Sequence, residues 1–272
     1  MNFAAAAGTP TNTVIHTDSK GLDAADITID LGAESLPAYF AAPAGKTGMP
    51  VILVVQEIFG VHEHIKDVCR RLAHEGYLAI APELYFRQGD ASAYDDIQTL
   101  FSELVNHVPD AGVMADLDAA VGWAAGHGGD TSRLGVIGFC WGGRITWLYA
   151  AHSAQIKAGV AWYGKLQGPH DELKPQHPVD VAGQLRAPVL GLYGGQDTGI
   201  PLDAVQAMQG ALSAGGPASK ASEFVVYDDA PHAFLADYRP SYRPEAARDG
   251  WQRMLAWFDR FLNEQGAGKQ PS

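Results

Sequence analysis

The sequence predicts an α/β protein: one mostly parallel, twisted sheet with helices on both faces and an antiparallel hairpin at its N-terminal end. Three observations carry that prediction. Short apolar, β-branched runs alternate with longer segments of helical periodicity along most of the chain. The run Val51-Ile52-Leu53-Val54-Val55 is apolar at every position, the composition of a strand buried on both faces of a parallel sheet. Finally, Glu57, Cys140, Asp197 and His232 each follow such a run. Sheets of this kind bind ligands beyond the carboxyl ends of their strands.

In chain order, residues 1–25 are small and polar without periodicity and read as a loose arm. Residues 27–31 and 36–42 are expected to pair as a hairpin across the turn Gly32-Ala33-Glu34-Ser35. The buried run follows, then a helix over 64–74, where Ile65, Val68, Leu72 and Ala73 recur at helical spacing and Gly76 supplies the stop. Residues 77–81 form a strand closed by Pro82, and a polar loop leads to two helices, 95–107 and 110–125. The second carries Val113, Leu117, Ala120, Val121 and Ala124 on one stripe, behind an acidic start that suits the helix dipole. Strands are expected at 134–139, 156–163, 188–193 and 223–227, with a long loop over 164–180. Helices are expected at 144–152, 201–214 and 245–262. No internal repeat or linker interrupts the pattern, so residues 26–264 read as a single domain and 265–272 as a flexible tail.

Composition narrows the function classes. The formal charge is 19 − 31 = −12, which argues against nucleic acid or an anionic membrane as the main partner. No apolar run is long enough to span a bilayer. The two cysteines, Cys69 and Cys140, are too few for a secreted disulfide scaffold and are expected to be free thiols. The start lacks a basic region followed by an apolar stretch, so the cytoplasm is the default compartment. A periplasmic protein whose export signal has been trimmed is the alternative. The chain is expected to act as a monomer.

The chemistry centres on Gly138-Phe139-Cys140-Trp141-Gly142-Gly143. A strand, a glycine-flanked reactive residue and then a helix is the sequence form of a nucleophile elbow, here with cysteine where serine is usual. The helix N-terminus would favour a thiolate over a thiol. The alternative for Cys140 is a small buried hydrophobe at a strand end. Cys69, beside Val68 on a helical stripe, reads as plain core. Asp197, after Tyr193-Gly194-Gly195-Gln196, and His232, in Ala230-Pro231-His232-Ala233-Phe234, complete the order nucleophile, acid, histidine. Singly they would be a turn acid and a loop histidine. In that order they form a triad in which the acid orients the imidazole.

Acyl transfer also needs donors for a developing oxyanion. The backbone N–H of Trp141 and that of Ile58 are the candidates, and the neighbouring carboxylate of Glu57 would interact with the thiol if buried. His62-Glu63-His64 lacks the spacing of a metal site and reads as a helix start, while His107, His127, His170 and His177 read as solvated.

These motifs, together with Val54-Val55-Gln56-Glu57-Ile58-Phe59-Gly60 and Ala81-Pro82-Glu83-Leu84-Tyr85-Phe86-Arg87-Gln88-Gly89, resemble the dienelactone hydrolase (carboxymethylenebutenolidase) family over roughly residues 27–264. The resemblance implies an α/β-hydrolase fold and a Cys140–His232–Asp197 triad that opens an enol-lactone through a thioester, with no metal or cofactor. It implies that Glu57 holds Cys140 as an unreactive thiol until substrate arrives and then accepts its proton. It further implies oxyanion donors at Ile58 and Trp141, substrate-carboxylate binding by Arg87, and pocket tyrosines at Tyr85 and Tyr163. There is one departure. The family's second carboxylate-binding arginine falls at Ala236, leaving Arg239 or Arg243 to compensate from the same loop. The small-molecule substrate is therefore expected to be a lactone or an ester. A promiscuous esterase or thioesterase, or a non-catalytic module of the same fold, are the alternatives.

Overall fold

The structure, a computed structural model, describes residues 12–263. Eight strands form one sheet in the order β1-β2-β4-β3-β5-β6-β7-β8. They are β1 (Leu22–Asp30), β2 (Ser35–Pro43), β3 (Met49–Val55), β4 (Leu78–Pro82), β5 (Gly129–Phe139), β6 (Ile156–Trp162), β7 (Val189–Gly194) and β8 (Glu223–Tyr227). β2 pairs antiparallel with both β1 and β4, and every pairing from β4 to β8 is parallel. β3 is buried at all seven positions and β4 at all five, as expected of strands covered on both faces. After β4 the chain jumps back across β3 to lay down β5. The order of winding therefore reverses between β3 and β5, which puts a crevice at their carboxyl ends.

The main helices cover the sheet. α1 (Glu63–His74) buries Ile65, Val68, Cys69 and Leu72, and α3 (Asp110–Gly126) buries its predicted stripe. α4 (Trp141–His152) starts directly after β5, while α6 (Leu202–Ser213) and α8 (Pro244–Phe258) follow β7 and β8. Short helices α2 (Ile97–Glu103), α5 (Pro178–Val181) and α7 (Pro217–Lys220) occupy the connections.

Several boundaries differ from the sequence expectation. β1 begins at Leu22 because its main chain pairs with β2 from Leu22 opposite Pro43, although Ala24-Ala25-Asp26 shows no apolar alternation. Residues 12–21 of the expected loose arm are tied down: the Thr17 N–H donates to Asp67 Oδ1 at 2.5 Å, and Arg70 Nε donates to the Thr17 carbonyl at 2.7 Å. Residues 1–11 and the expected tail lie outside the described residues. The helix expected over 95–107 is α2 followed by a 3₁₀ turn, Val105–His107. Asp96 caps α2 through the Gln98 and Thr99 N–H groups, and Leu104 leaves helical geometry at φ −126° as it buries beside Leu100. The last helix passes into a π turn at Asp259–Asn263.

Candidate active site

The turn from β5 into α4 is tight enough that side chains are excluded from it. A Cβ on Gly138 would lie 2.1 Å from the Gly142 carbonyl oxygen, and one on Gly142 would lie 2.4 Å from the Val55 and Gln56 carbonyl oxygens. Both are far inside contact distance, so these glycines let the elbow press against the end of β3. Cys140 takes φ 54° and ψ −112°, a backbone state that costs a non-glycine residue on the order of 1–3 kcal/mol. Its N–H donates to the Trp162 carbonyl at 3.0 Å, and its own carbonyl accepts from Gly143 N–H at 3.0 Å. The turn is thus held from both sides, and the thiol stands at the N-terminus of α4, where the field favours negative charge.

Asp197, just beyond β7, is buried, and its Oδ2 lies 2.6 Å from His232 Nδ1. Asp197 Oδ1 accepts from Gly199 N–H at 2.9 Å, fixing the carboxylate. The His232 side chain is 35% exposed and faces a cavity, with Tyr163 packed edge-on at 5.2 Å between ring centroids. Burial disfavours the imidazolium, but the charge of Cys140 and the hydrogen bonds to Asp197 and Cys140 outweigh it and raise His232 to about 10. The histidine thus spans the acid and the thiol, as the sequence order predicts.

Glu57 sits just past β3, 1% exposed. Tyr238 OH donates to its Oε2 at 2.5 Å, and His62 Nε2 lies 3.3 Å from the same oxygen. Burial works against ionisation, yet His62, His64 and Arg239 together hold Glu57 below the usual carboxylate range. Burial pushes His62 itself down, against the pull of the Glu57 carboxylate. The histidines read from sequence as a helix start do open α1, with His62 at its N-cap, and they also pack beside the site. His62 stacks on His64 at 6.0 Å, and His64 Nδ1 reaches Asp237 Oδ1 at 3.2 Å. Nothing in the spacing around His62 signalled this, because the partners Tyr238 and Asp237 come from the loop that carries His232.

The cavity, about 480 Å³, opens beside Cys140, Asp197 and His232. Phe101, Val105 and Ile200 supply apolar wall, and Lys165, Asp171, Lys174 and His177 line it from the 164–180 loop. His177, expected to be solvated, is buried and accepts from Arg144 Nε at 3.3 Å. Arg144 pairs bidentately with Asp110 at 2.7 Å and donates to the Gln176 carbonyl at 2.8 Å, which ties α4, α3 and the loop together. Ile58 and Trp141 are both buried. Among the described residues, neither amide donates to a carbonyl in the turns and loops around the site. Nor does any group of three or more histidine, cysteine or acidic side chains among the described residues have the arrangement of a metal site.

The expected substrate-binding residues divide. Tyr163 lines the cavity, at φ 38° after β6. Tyr85 is fully buried against the Trp141 ring, at 5.0 Å, and supports the wall from behind. Burial raises both phenols, and the charge of Cys140 adds to it, so both remain neutral hydroxyls. Arg87 is not brought to the cavity. It is held by both oxygens of Asp116, at 2.7 and 3.0 Å, and by Glu34 at 2.6 Å. Arg239 lies over the Phe59 ring at 5.7 Å, on the Glu57 side, and Arg243, just before α8, donates to the Pro240 and Tyr242 carbonyls of its own loop. None of the three arginines lines the cavity.

Comparison with known proteins gives the family. The model of the dienelactone hydrolase family matches residues 36–262. A Salmonella typhimurium protein named "Putative carboxymethylenebutenolidase" is 57% identical over 265 residues, covering 97% of each chain. A more distant Bradyrhizobium protein, named "Probable 2-oxo-3-(5-oxofuran-2-ylidene)propanoate lactonase", is 32% identical over 235 residues, covering 84% of this chain and 92% of its own. The crystal structure titled as a putative dienelactone hydrolase from Klebsiella pneumoniae superposes with a TM-score of 0.85 at 61% identity, covering 88% of this chain and 99% of that one. With its elbow, its parallel sheet and these relatives, the chain belongs to the dienelactone hydrolase family of α/β-hydrolases, the enzymes that cleave carboxylic esters and lactones.

Proposed function

We propose that the chain opens an enol-lactone or a small ester through a thioester on Cys140. The observation that carries this reading is the 2.6 Å contact between Asp197 Oδ2 and His232 Nδ1, which aims the imidazole at a thiol in a strained elbow. The raised His232 supports an imidazolium facing a thiolate before substrate binds. In the acylation step the thiolate attacks the carbonyl carbon, and the oxyanion is held by the Ile58 and Trp141 N–H groups. The C–O bond of the leaving group breaks, and that oxygen takes the proton from His232. Acylation removes the negative charge that favoured the imidazolium, so His232 becomes a competent base. It takes a proton from water, the hydroxide adds to the thioester, and the thiolate departs to restore the ion pair. Glu57, ionised and buried against the elbow, is the second carboxylate of the site. Its fixed negative charge sets a cost on ionising the sulfur, which the His232 imidazolium offsets.

The apolar part of the cavity, and the pairing of its lining arginine, Arg144, with Asp110, favour a second reading, a broader esterase or thioesterase acting on small neutral acyl groups. Both readings place the acyl group on the same sulfur. Intact-protein mass spectrometry with a slowly turned-over aryl ester should give a single acyl adduct on wild type and none on Cys140→Ala. A Cys140→Ala protein hydrolysing esters and lactones at the wild-type rate would overturn the thioester route.

A further inference from the structure

The cavity's spare charge is opposite in sign to that of the chain. The protein carries −12 overall, yet the unmatched ionisable groups that the 164–180 loop brings to the cavity are mostly cationic. Arg144 is matched by Asp110, and Asp197 by His232. His177 is pushed down by burial and stays neutral. What remains is Lys165 and Lys174 against Asp171.

Asp171 is occupied in shaping the loop: its Oδ1 accepts from the Leu173 and Lys174 N–H groups at 2.8 and 2.7 Å. Lys174 Nζ donates to the Asn106 carbonyl at 2.9 Å, which uses one of its three N–H donors. Burial pushes its ammonium down, so an anionic partner there would replace lost hydration. The Lys165 side chain passes close to Gly168, where a Cβ would lie 3.5 Å from its Cε. Lys165 Nζ has no hydrogen bond or ion pair among the described residues.

We propose that Lys165 and Lys174 form an anion subsite on the rim of the cavity, and that it takes a carboxylate carried by the substrate away from the bond being cleaved. This deepens the ester and lactone hydrolase reading and rests on it. It moves carboxylate recognition from Arg87, which Asp116 and Glu34 occupy, to the 164–180 loop on the other side of the nucleophile. The chemistry of the contact changes with the residue. Two flexible ammonium groups act as point charges and accept a carboxylate in many orientations, whereas an arginine fork selects one. In an acidic chain, a locally cationic rim also focuses an anionic substrate toward the thiol.

The test compares para-nitrophenyl valerate with the para-nitrophenyl monoester of glutarate, in which a carboxylate replaces the terminal methyl, after subtracting uncatalysed rates. Lys165→Met and Lys174→Met should each raise KM for the glutarate ester roughly tenfold while leaving the valerate ester within about twofold. Lys165→Arg should restore the glutarate KM. Salt should weaken binding of the glutarate ester alone. Equal changes for both esters would overturn the subsite, as would a selective loss in Arg87→Met with none in the lysine variants. Lys165 is exposed and engaged with no partner, so its variant reads charge without a folding defect. If wild type hydrolyses neither ester, the hydrolase reading falls instead. Calorimetric titration with glutarate then decides the subsite: weaker binding by Lys165→Met supports it, and equal affinity overturns it.

Discussion

The two cysteines are the same side chain in opposite surroundings. Cys69 lies on the buried stripe of α1, fully enclosed by core, and burial pushes its thiol up, far from ionisation at neutral pH. Cys140 is partly exposed to a cavity, sits in a strained backbone state between strand and helix, and shares that cavity with His232. Both are free thiols within one hydrophobic core. Reactivity therefore belongs to the place rather than to the residue. A thiol becomes a nucleophile where access, a helix terminus and a cationic partner converge, and remains a packing atom where none does.

The largest expected effect separates the two directly. Cys140→Ala should lower hydrolysis by at least about a thousandfold, because the acyl acceptor itself is lost. Cys69→Ala should leave kcat/KM unchanged and lower stability by about 1 kcal/mol in urea unfolding, the effect of a small core cavity. Iodoacetamide should label Cys140 in the native protein and Cys69 only after unfolding. Rapid native labelling of Cys69 would collapse the contrast.

A second effect isolates the elbow from the thiol. Gly142→Ala would drive a methyl group into the Val55 and Gln56 carbonyls. It should cost about 3 kcal/mol of stability and most of the activity, with Cys140 still present. An equivalent change at Gly210, inside α6 where a Cβ meets nothing within 4 Å, should leave activity unchanged and raise stability by about 0.5–1 kcal/mol. Normal turnover in Gly142→Ala would mean that the tight turn is not needed to present the sulfur.

Titration sharpens the comparison further. His232 is raised from 6.5 to about 10, so its contribution to folding is complete below 6.5 and fades as pH rises through about 10. The Cys140 charge is one of the causes, so ring ¹⁵N shifts in Cys140→Ala should show His232 losing its proton at lower pH than in wild type. The same midpoint in both proteins would remove the thiolate–imidazolium pair.

The smallest effect concerns Glu57. Its folded value is depressed from 4.5 to about 2, so the stability it contributes is present above 4.5 and lost as pH falls toward 2. Glu57→Gln should therefore flatten the acid limb of the stability curve, read as the urea midpoint against pH. An unchanged acid limb would show that the carboxylate is not held ionised.

Much of the site was legible because its residues follow strands, and strands are written locally. The all-apolar run before Glu57 and the glycines around Cys140 report burial and close approach without knowledge of the fold. The carboxylate at Asp197 and the imidazole at His232 were readable for the same reason, each following an apolar run. Arg87 was misplaced because its partners are remote: Glu34 arrives from the hairpin turn and Asp116 from α3, and no local pattern records that pairing. His177 was misjudged for a similar reason, and the packing around His62 was not readable. Their burial depends on Tyr238, which comes from the His232 loop, and on Arg144, which comes from α4.

By itself the sequence determined the alternation of elements, the parallel sheet and the glycine-flanked turn that holds Cys140, because periodicity, β-branching and glycine placement act over a few residues. Only the tertiary structure decided which charges remain available at the cavity. Salt bridges and desolvation depend on distances between elements far apart in the chain. Those distances bind Arg87 to Asp116, set Glu57 against Tyr238, and leave Lys165 and Lys174 on the lining of the cavity that holds the thiol.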